Sequence, residues 1–344
     1  MKTILLFLSL IAIVIVLSAC EAKTVAYGAV DEMVIVVDST EMEIRADSIS
    51  VYFFTERQVP RREKSFDLKF IYPSQIEEYK FRRNFFLIGT LGSDSEFAGY
   101  LNRLLPEGFK NRVDSSDYNF TYVPDLYSYK QNGYIFVAPQ LEDLLEAIPR
   151  RSEVVIDYIS KKYWENMEES VFDAGEQDDL EEYFLNLYGS SLRIQHDYFV
   201  AKESQDSGFI WLRRIDPIRE IYREILVRYY DNPDTIDLTP NWLIAQKEKS
   251  SIDVFRRYEV VVRDETDSLD TVVGSYSALK LEGTWRTEDL MIGGPFSMYG
   301  FYVDEQNKVV TIEVSITALG RRKTSFINQL EVIAESFHIR KTGN

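Results

Sequence analysis

Two glutamates and a tryptophan in the second half of the chain have the residue types of a glycan-cleaving site. Glu282 and Glu288 lie on either side of Trp285. A glycosidase uses one carboxyl group as an acid and a second as a base or nucleophile. The sequence therefore allows a carboxylate-dependent hydrolase. The alternative is that one glutamate faces solvent and the other pairs with Arg286 or a neighbour.

Two segments, the second of which includes this tryptophan, have the composition of a binding groove. In GFIWLRR, strand alternation puts Phe209, Trp211 and Arg213 on one side and Ile210 and Leu212 on the other. The second segment runs from LEGTW to GGPF, where Gly-Gly-Pro predicts a tight backbone path. The predicted groove consists of Trp211, Arg213, Glu282, Trp285, Gly293, Gly294, Pro295 and Phe296. The alternative is core packing, which is the usual role of aromatic residues in strands.

Motifs for metal, nucleophile or phosphate chemistry are absent from the sequence. Its two histidines, His196 and His338, lie far apart, and no zinc or calcium ligand pattern is present. No Gly-x-Ser-x-Gly segment occurs, and GGP lacks the lysine and spacing of a phosphate-binding loop. We place His196 in a strand and His338 near the end of the last helix. The sequence predicts no metal and no cofactor, and favours a protein that is not an enzyme.

The single cysteine, Cys20, follows a segment typical of an export signal. Lys2 precedes an apolar run at 4–16, shorter than the roughly 20 apolar residues of a membrane-spanning helix. The residues LSAC resemble the bacterial lipobox, in which the leader is cut before a cysteine whose thiol receives a diacylglycerol. The resemblance implies a signal peptide at 1–19, and an anchor and tether at 20–32. A spanning helix, or a buried cysteine without lipid, is the alternative.

The charge of the chain limits its partners. With 39 basic and 56 acidic residues, the net charge is −17, which opposes binding to nucleic acid and to anionic lipid headgroups. We therefore expect membrane association through the lipid on Cys20 alone. No acidic cluster directly follows Cys20, which favours the periplasmic face of the outer membrane. The expected partner is an envelope protein or a small ligand.

Hydrophobic patterns predict two α+β halves, at 33–150 and 190–340, joined by helices at 151–189. First-half strands are predicted at 33–37, 66–72, 85–91 and 134–138, and a short helix at 141–148. Second-half strands are predicted at 192–201, 209–214, 220–230, 276–285, 297–303 and 309–316. A helix at 240–252 has Thr239 as its cap. Strands in hairpin order with helices across them predict an α+β fold with antiparallel sheets.

Several of these segments also carry a family resemblance. The residues from Asp206 to Arg214, LEGTW with GGPF, VDEQNKVVTIEV and FINQLEVIAESF resemble an uncharacterised bacterial lipoprotein family, domain-of-unknown-function family 4837. VIVVDSTEM and FDLKFIYPSQI extend the resemblance into the first half. Residues 190–340 are also similar to PsbP-like folds, which implies an α/β/α sandwich and a binding or assembly role. The leading hypothesis is a membrane-anchored, non-catalytic binding or envelope-assembly module, with the glycan hydrolase as the alternative.

Overall fold

The computed structural model describes most of the chain after the predicted leader. The described residues are 23–38, 49–59, 62–115, 119–289 and 292–340. Cys20 and the predicted signal peptide lie outside them, so the lipid anchor stays a prediction.

The chain forms two compact units. Unit 1 comprises residues 1–53 and 66–157, and unit 2 comprises residues 54–65 and 158–344. The short segment 54–65 thus belongs to unit 2, although the sequence patterns place it in the first half.

Strands and helices are numbered here in chain order. The strands are β1 (Glu32–Val37), β2 (Glu56–Gln58), β3 (Arg62–Lys64), β4 (Asp67–Ile71), β5 (Asn84–Thr90), β6 (Phe120–Pro124), β7 (Asn132–Ala138), β8 (Ser190–Ser191), β9 (Phe199–Ser204), β10 (Phe209–Asp216), β11 (Ile221–Asp231), β12 (Glu259–Val273), β13 (Tyr276–Thr287), β14 (Gly293–Val303), β15 (Lys308–Ala318) and β16 (His338–Ile339). The α-helices with described bounds are α1 (Ile76–Tyr79), α2 (Glu96–Leu104), α3 (Glu107–Ser115), α4 (Leu141–Phe172), α5 (Asp178–Tyr188), α6 (Pro240–Asp253) and α7 (Thr324–Glu335).

Unit 1 is built on a mixed sheet with the strand order β4-β1-β5-β7-β6. The four predicted first-half strands correspond to β1, β4, β5 and β7, and these pair in parallel. Only the edge strand β6 is antiparallel. The expectation of antiparallel sheets is therefore wrong for this unit. Its apolar runs, such as the buried Met33–Val37 of β1, are typical of parallel strands covered on both faces.

A single helix, α4, replaces the two helices that the sequence predicts at 141–148 and from Ser152 onward. It continues through Pro149, which costs one backbone hydrogen bond. Buried side chains on both sides of the proline, including Ile148 and Val155, hold the two parts in one helix. Burial here outweighs the local preference of proline to end a helix.

Unit 2 contains an antiparallel sheet with the order β12-β13-β14-β15-β11-β10-β9. The α+β prediction is confirmed. Helix α6 packs on one face, where Leu243 and Ile244 contact Trp285 in a buried cluster. Helix α7 packs on the other face, where Glu331 contacts Ser297 and Lys280. Helices on both faces give this half the sandwich that the resemblance to PsbP-like folds implies.

Two predictions about unit 2 need correction. The strand predicted at 192–201 begins only at Phe199, so His196 lies in an exposed turn instead of a strand. His338 lies in β16, beyond the last helix. By contrast, the cap of α6 is confirmed, because the Thr239 side chain accepts a hydrogen bond from the Trp242 amide at 3.3 Å.

Candidate functional site

A chain of ion pairs crosses the face of the unit 2 sheet that α6 covers. Its six members alternate in sign along the chain of contacts. In order they are Arg213 on β10, Glu224 on β11, Arg257 before β12, Glu259 on β12, Lys247 on α6 and Glu313 on β15. The nitrogen–oxygen distances between successive members are 3.1, 2.6, 2.7, 3.3 and 2.6 Å. We call this set the charged chain.

The charged chain runs from partly exposed to fully buried residues. The side chains of Arg213 and Arg257 are 23% and 28% exposed, whereas that of Lys247 is 0% exposed. Burial lowers the pKa of Lys247, but the nearby carboxylates of Glu313 and Glu259 raise it overall. Burial raises the pKa of Glu313 and Lys247 opposes this. The buried end depends on Lys247, because a buried charge is tolerated only when it is paired.

Four of the eight residues predicted for the groove lie in or beside the charged chain. Trp285 and Phe296 are buried beneath α6, with the Lys247 Nζ 5.7 and 4.8 Å from their ring centroids. Trp211 packs on Phe255, and Arg213 joins the charged chain itself. The alternation predicted for the β10 segment is consistent with these contacts. Most of these aromatic surfaces are packed against protein.

The remaining predicted groove residues lie elsewhere. Glu282 is on the α7 face of the sheet, where it pairs with Arg57 and Lys280. Gly294 and Pro295 are buried in β14. A Cβ on Gly294 would overlap the Ile316 carbonyl oxygen, so this glycine permits close approach of backbones. Gly293 likewise lies close to the carbonyl of Trp285 on β13. The eight residues thus divide between two faces and the backbone of the sheet.

Sequence reasoning missed five members of the charged chain, although it had a usable signal. Glu313 interrupts the apolar run of β15, and Glu224 does the same in β11. Lys247 lies on the buried face of α6 with Leu243 and Ile244. A charged residue at an apolar position is seldom buried without a partner. That signal predicts buried ion pairs, but not which residues pair.

An open cavity of about 450 Å³ lies at one end of the unit 2 sheet. We call it the tyrosine cavity. Its lining includes Tyr188, Asp206, Ser207, Tyr229, Asp231 and Lys308. They come from the end of α5, the β9–β10 turn, the end of β11 and the start of β15.

Two glycines fix the backbone around the tyrosine cavity. Gly189 ends α5 with a φ of 71°. Gly208 has a φ of 59° in the β9–β10 turn, and its carbonyl accepts from the Tyr229 amide at 2.8 Å. A Cβ at Gly208 would lie 2.7 Å from the Tyr229 carbonyl oxygen. The turn therefore needs glycine for both its conformation and its close contact.

Stacked tyrosines form one wall of the cavity. The Tyr188 and Tyr229 rings are 4.7 Å apart and nearly parallel, at 9°. The Tyr229 hydroxyl is 3.0 Å from the Ser190 Oγ, which orients that ring. Burial, with Glu203 and Tyr183 nearby, raises the pKa of Tyr188 to about 12. Tyr188 therefore stays a neutral phenol at physiological pH.

Charged and polar groups complete the cavity. Lys308 Nζ lies 3.4 Å from Asp231 Oδ1, and both side chains keep contact with solvent. Asp206 and Ser207 are exposed on the opposite turn. The cavity thus offers an ammonium donor, carboxylate acceptors and a hydroxyl beside an aromatic wall. A ligand with hydroxyl groups can satisfy both kinds of group, because each hydroxyl donates and accepts.

The described part of the chain shows neither a cluster of metal ligands nor a membrane-spanning helix. There, no group of three or more His, Cys, Asp or Glu side chains is arranged to hold a metal ion. Among the same residues, no helix combines the length and apolarity needed to cross a membrane.

Comparison with solved structures gives distant similarities. LpqN of Mycobacterium tuberculosis, described as involved in cell envelope biogenesis, is 14% identical over 44% of this chain and 82% of its own, with a TM-score of 0.29. The Ran-binding protein Mog1p of Saccharomyces cerevisiae is 12% identical over 44% of this chain and 90% of its own, with a TM-score of 0.30. A mutant of Mog1 gives the same identity and TM-score over 45% and 92%. No curated protein matches the chain.

A family model described as "Domain of unknown function (DUF4837)" matches residues 177–336. This match includes the second-half segments that carry the resemblance, except for Phe337 at the end of the last one. The first-half segments VIVVDSTEM and FDLKFIYPSQI lie outside it, so their part of the resemblance stays a prediction. The tyrosine cavity and the charged chain lie entirely within the matched residues. The similarity of this chain to that family is therefore confined to residues 177–336.

Proposed function

We propose that the protein is an exported, lipid-anchored envelope protein that binds a hydroxyl-rich ligand, such as an envelope glycan, without cleaving it. The tyrosine cavity is the observation that carries this proposal. Its volume of about 450 Å³ is within the roughly 300–1,000 Å³ typical of small-molecule sites. Its stacked tyrosines offer an apolar wall, and its polar groups surround that wall.

The charges in the tyrosine cavity favour hydroxyl groups over a strongly charged ligand. Asp206 and Asp231 would repel an anion, and Lys308 would repel a cation. A neutral ligand with several hydroxyls is repelled by neither the carboxylates nor the ammonium group. It can donate to the carboxylates and accept from the lysine in the same pose.

The hydrolase alternative has less support. Glu282 pairs with Arg57 and Lys280, and Glu288 lies in the exposed turn after β13. Neither residue lines the tyrosine cavity. A glycosidase needs two carboxyl groups on either side of one bound sugar, so binding without cleavage is the function we propose.

Replacing Tyr188 by leucine should weaken glycan binding about tenfold, because the aromatic wall is lost. Isothermal titration calorimetry with soluble peptidoglycan disaccharide fragments and with maltotriose would measure this. The matched control is Tyr183→Leu, on the exposed side of the same helix and outside the cavity. Equal affinities of Tyr188→Leu and wild type, or no binding of either probe by wild type, would contradict the proposed ligand class.

The lipid anchor has a separate test. Cys20→Ala should abolish incorporation of radiolabelled palmitate, because no other cysteine is available to carry a thioether. Two or more acyl chains are needed for stable anchoring, so the variant should also leave the membrane fraction. Unchanged labelling would refute lipidation at Cys20. Loss of the anchor should leave glycan affinity unchanged, which separates the two parts of the proposal.

A further inference from the structure

A second cavity in unit 2, of about 410 Å³, lies between α4 and the end of α7. We call it the tryptophan cavity. Its lining includes Lys161, Trp164, Glu165, Glu168 and Glu335. It shares none of its lining residues with the tyrosine cavity.

Trp164 is held in place while part of its ring remains accessible. The residue is 38% exposed. Its neighbour Tyr163 packs edge-on against it at 5.4 Å and accepts a hydrogen bond from Asn328 Nδ2 at 2.8 Å. That bond joins α4 to α7, so the position of the indole is set by buried contacts. An accessible tryptophan face is the strongest aromatic site for a cation.

Glu335 lies at the surface of the tryptophan cavity, where a hydrogen bond holds its carboxylate. Its Oε1 accepts a hydrogen bond from the Tyr299 hydroxyl at 3.0 Å. Burial raises the pKa of Glu335, and the nearby Glu331 carboxylate raises it further. Among the described residues no cation lies within ion-pair distance of Glu335, and Lys280 and Arg57 lower its pKa only from farther away. An incoming cation would therefore be the nearest counter-charge of this carboxylate.

The rest of the lining also favours positive charge. Glu165 and Glu168 bring further carboxylates, against the single ammonium of Lys161. Their partners Lys162 and Arg193 are partly exposed, so these pairs are weakened by solvent. Glu335 also occupies the last turn of α7. The carbonyl groups at a helix C-terminus attract cations.

We propose that the tryptophan cavity binds an ammonium or guanidinium group, placed over the Trp164 ring and against the Glu335 carboxylate. Such a group occurs on a free amine and on a lysine or arginine side chain of a partner protein. The shared chemistry is a cation on a short aliphatic stem. This site is independent of glycan binding in the tyrosine cavity.

Titration of the full mature chain with agmatine, a free guanidinium, and with acetyl-arginine amide, a peptide mimic, tests the proposal. Indole fluorescence and calorimetry should both report saturable binding. Trp164→Leu and Glu335→Gln should each weaken it about tenfold. The matched control Glu182→Gln removes the same charge from an exposed position on α5 and should leave affinity unchanged.

The relative affinities of the two probes identify the source of the bound cation. Preference for agmatine would assign the site to a free amine, and preference for acetyl-arginine amide would assign it to a side chain of a partner. Absence of binding by either probe would overturn the proposal. Equal weakening by Glu335→Gln and Glu182→Gln would also overturn it, because the effect would then reflect only net charge. Far-UV circular dichroism of each variant excludes loss of fold as the cause.

Discussion

Replacing Lys247 by methionine is expected to lower the free energy of unfolding of unit 2 by about 3–5 kcal/mol, the usual cost of removing one partner from a buried ion pair. Lys247 is fully buried and contacts Glu313 at 2.6 Å and Glu259 at 3.3 Å. Glu259 keeps a second partner in Arg257. Glu313 loses its only cation within the described residues, while its side chain stays 2% exposed.

Urea unfolding followed by tryptophan fluorescence measures this effect selectively. All four tryptophans, Trp164, Trp211, Trp242 and Trp285, belong to unit 2. The control Lys249→Met, at an exposed position on the same helix, should change stability by no more than about 0.5 kcal/mol.

A double variant distinguishes the charge from the side-chain volume. Lys247→Met combined with Glu313→Met removes both charges, and apolar replacement of a buried pair is often neutral. We expect it to regain most of the stability that Lys247→Met loses. If Lys247→Met were as stable as Lys249→Met, Lys247 would not be the residue that holds the buried end of the charged chain.

Replacing Arg57 by methionine should have the second large effect, with a loss of about 3 kcal/mol at neutral pH. Arg57 lies on β2, and its guanidinium contacts Glu331 on α7 at 2.5 Å. It also donates to Asn328 and to Ser297. Glu331 is only 1% exposed. In the Arg57→Met variant its buried carboxylate would retain one ion-pair partner, Lys280 at 2.9 Å.

The pH dependence of this loss has a definite sign. Burial raises the pKa of Glu331, but Arg57 and Lys280 outweigh burial and bring it down from 4.5 to about 2. A carboxyl group with a lowered pKa stabilises the fold above its unfolded-state pKa, and that contribution is lost as pH falls towards the folded-state value. The difference between wild type and Arg57→Met should therefore shrink as the pH falls from 4.5 to about 2.

Urea unfolding at several pH values tests both statements. Arg57→Lys keeps the charge but not the forked geometry, so its stability should lie between those of wild type and Arg57→Met. Arg321→Met, at an exposed position in the same unit, is the matched control. A stability difference that stays constant down to the lowest pH would show that Glu331 does not depend on Arg57.

The sequence by itself determined the features that depend on near neighbours. Apolar runs predicted β1 and β5, alternation predicted β10, and Thr239 predicted the start of α6. These succeed because side-chain periodicity and helix capping act over a few residues. In unit 2 the short strands β2, β3, β8 and β16 and the long edge strand β12 escaped this reasoning. The RDETDSLDT segment of β12 has no apolar face to signal burial.

Only the tertiary structure decided which distant residues meet. Arg57 and Glu331 are 274 positions apart, and Lys247 and Glu313 are 66 apart. Trp285 and Glu282 are close in sequence, yet strand alternation places them on opposite faces with different helices above them. The tyrosine cavity likewise arises where separate elements end side by side, and the tryptophan cavity arises where α4 passes the end of α7. Local patterns set the type of each element, whereas long-range pairing depends on packing and charge compensation across the whole unit.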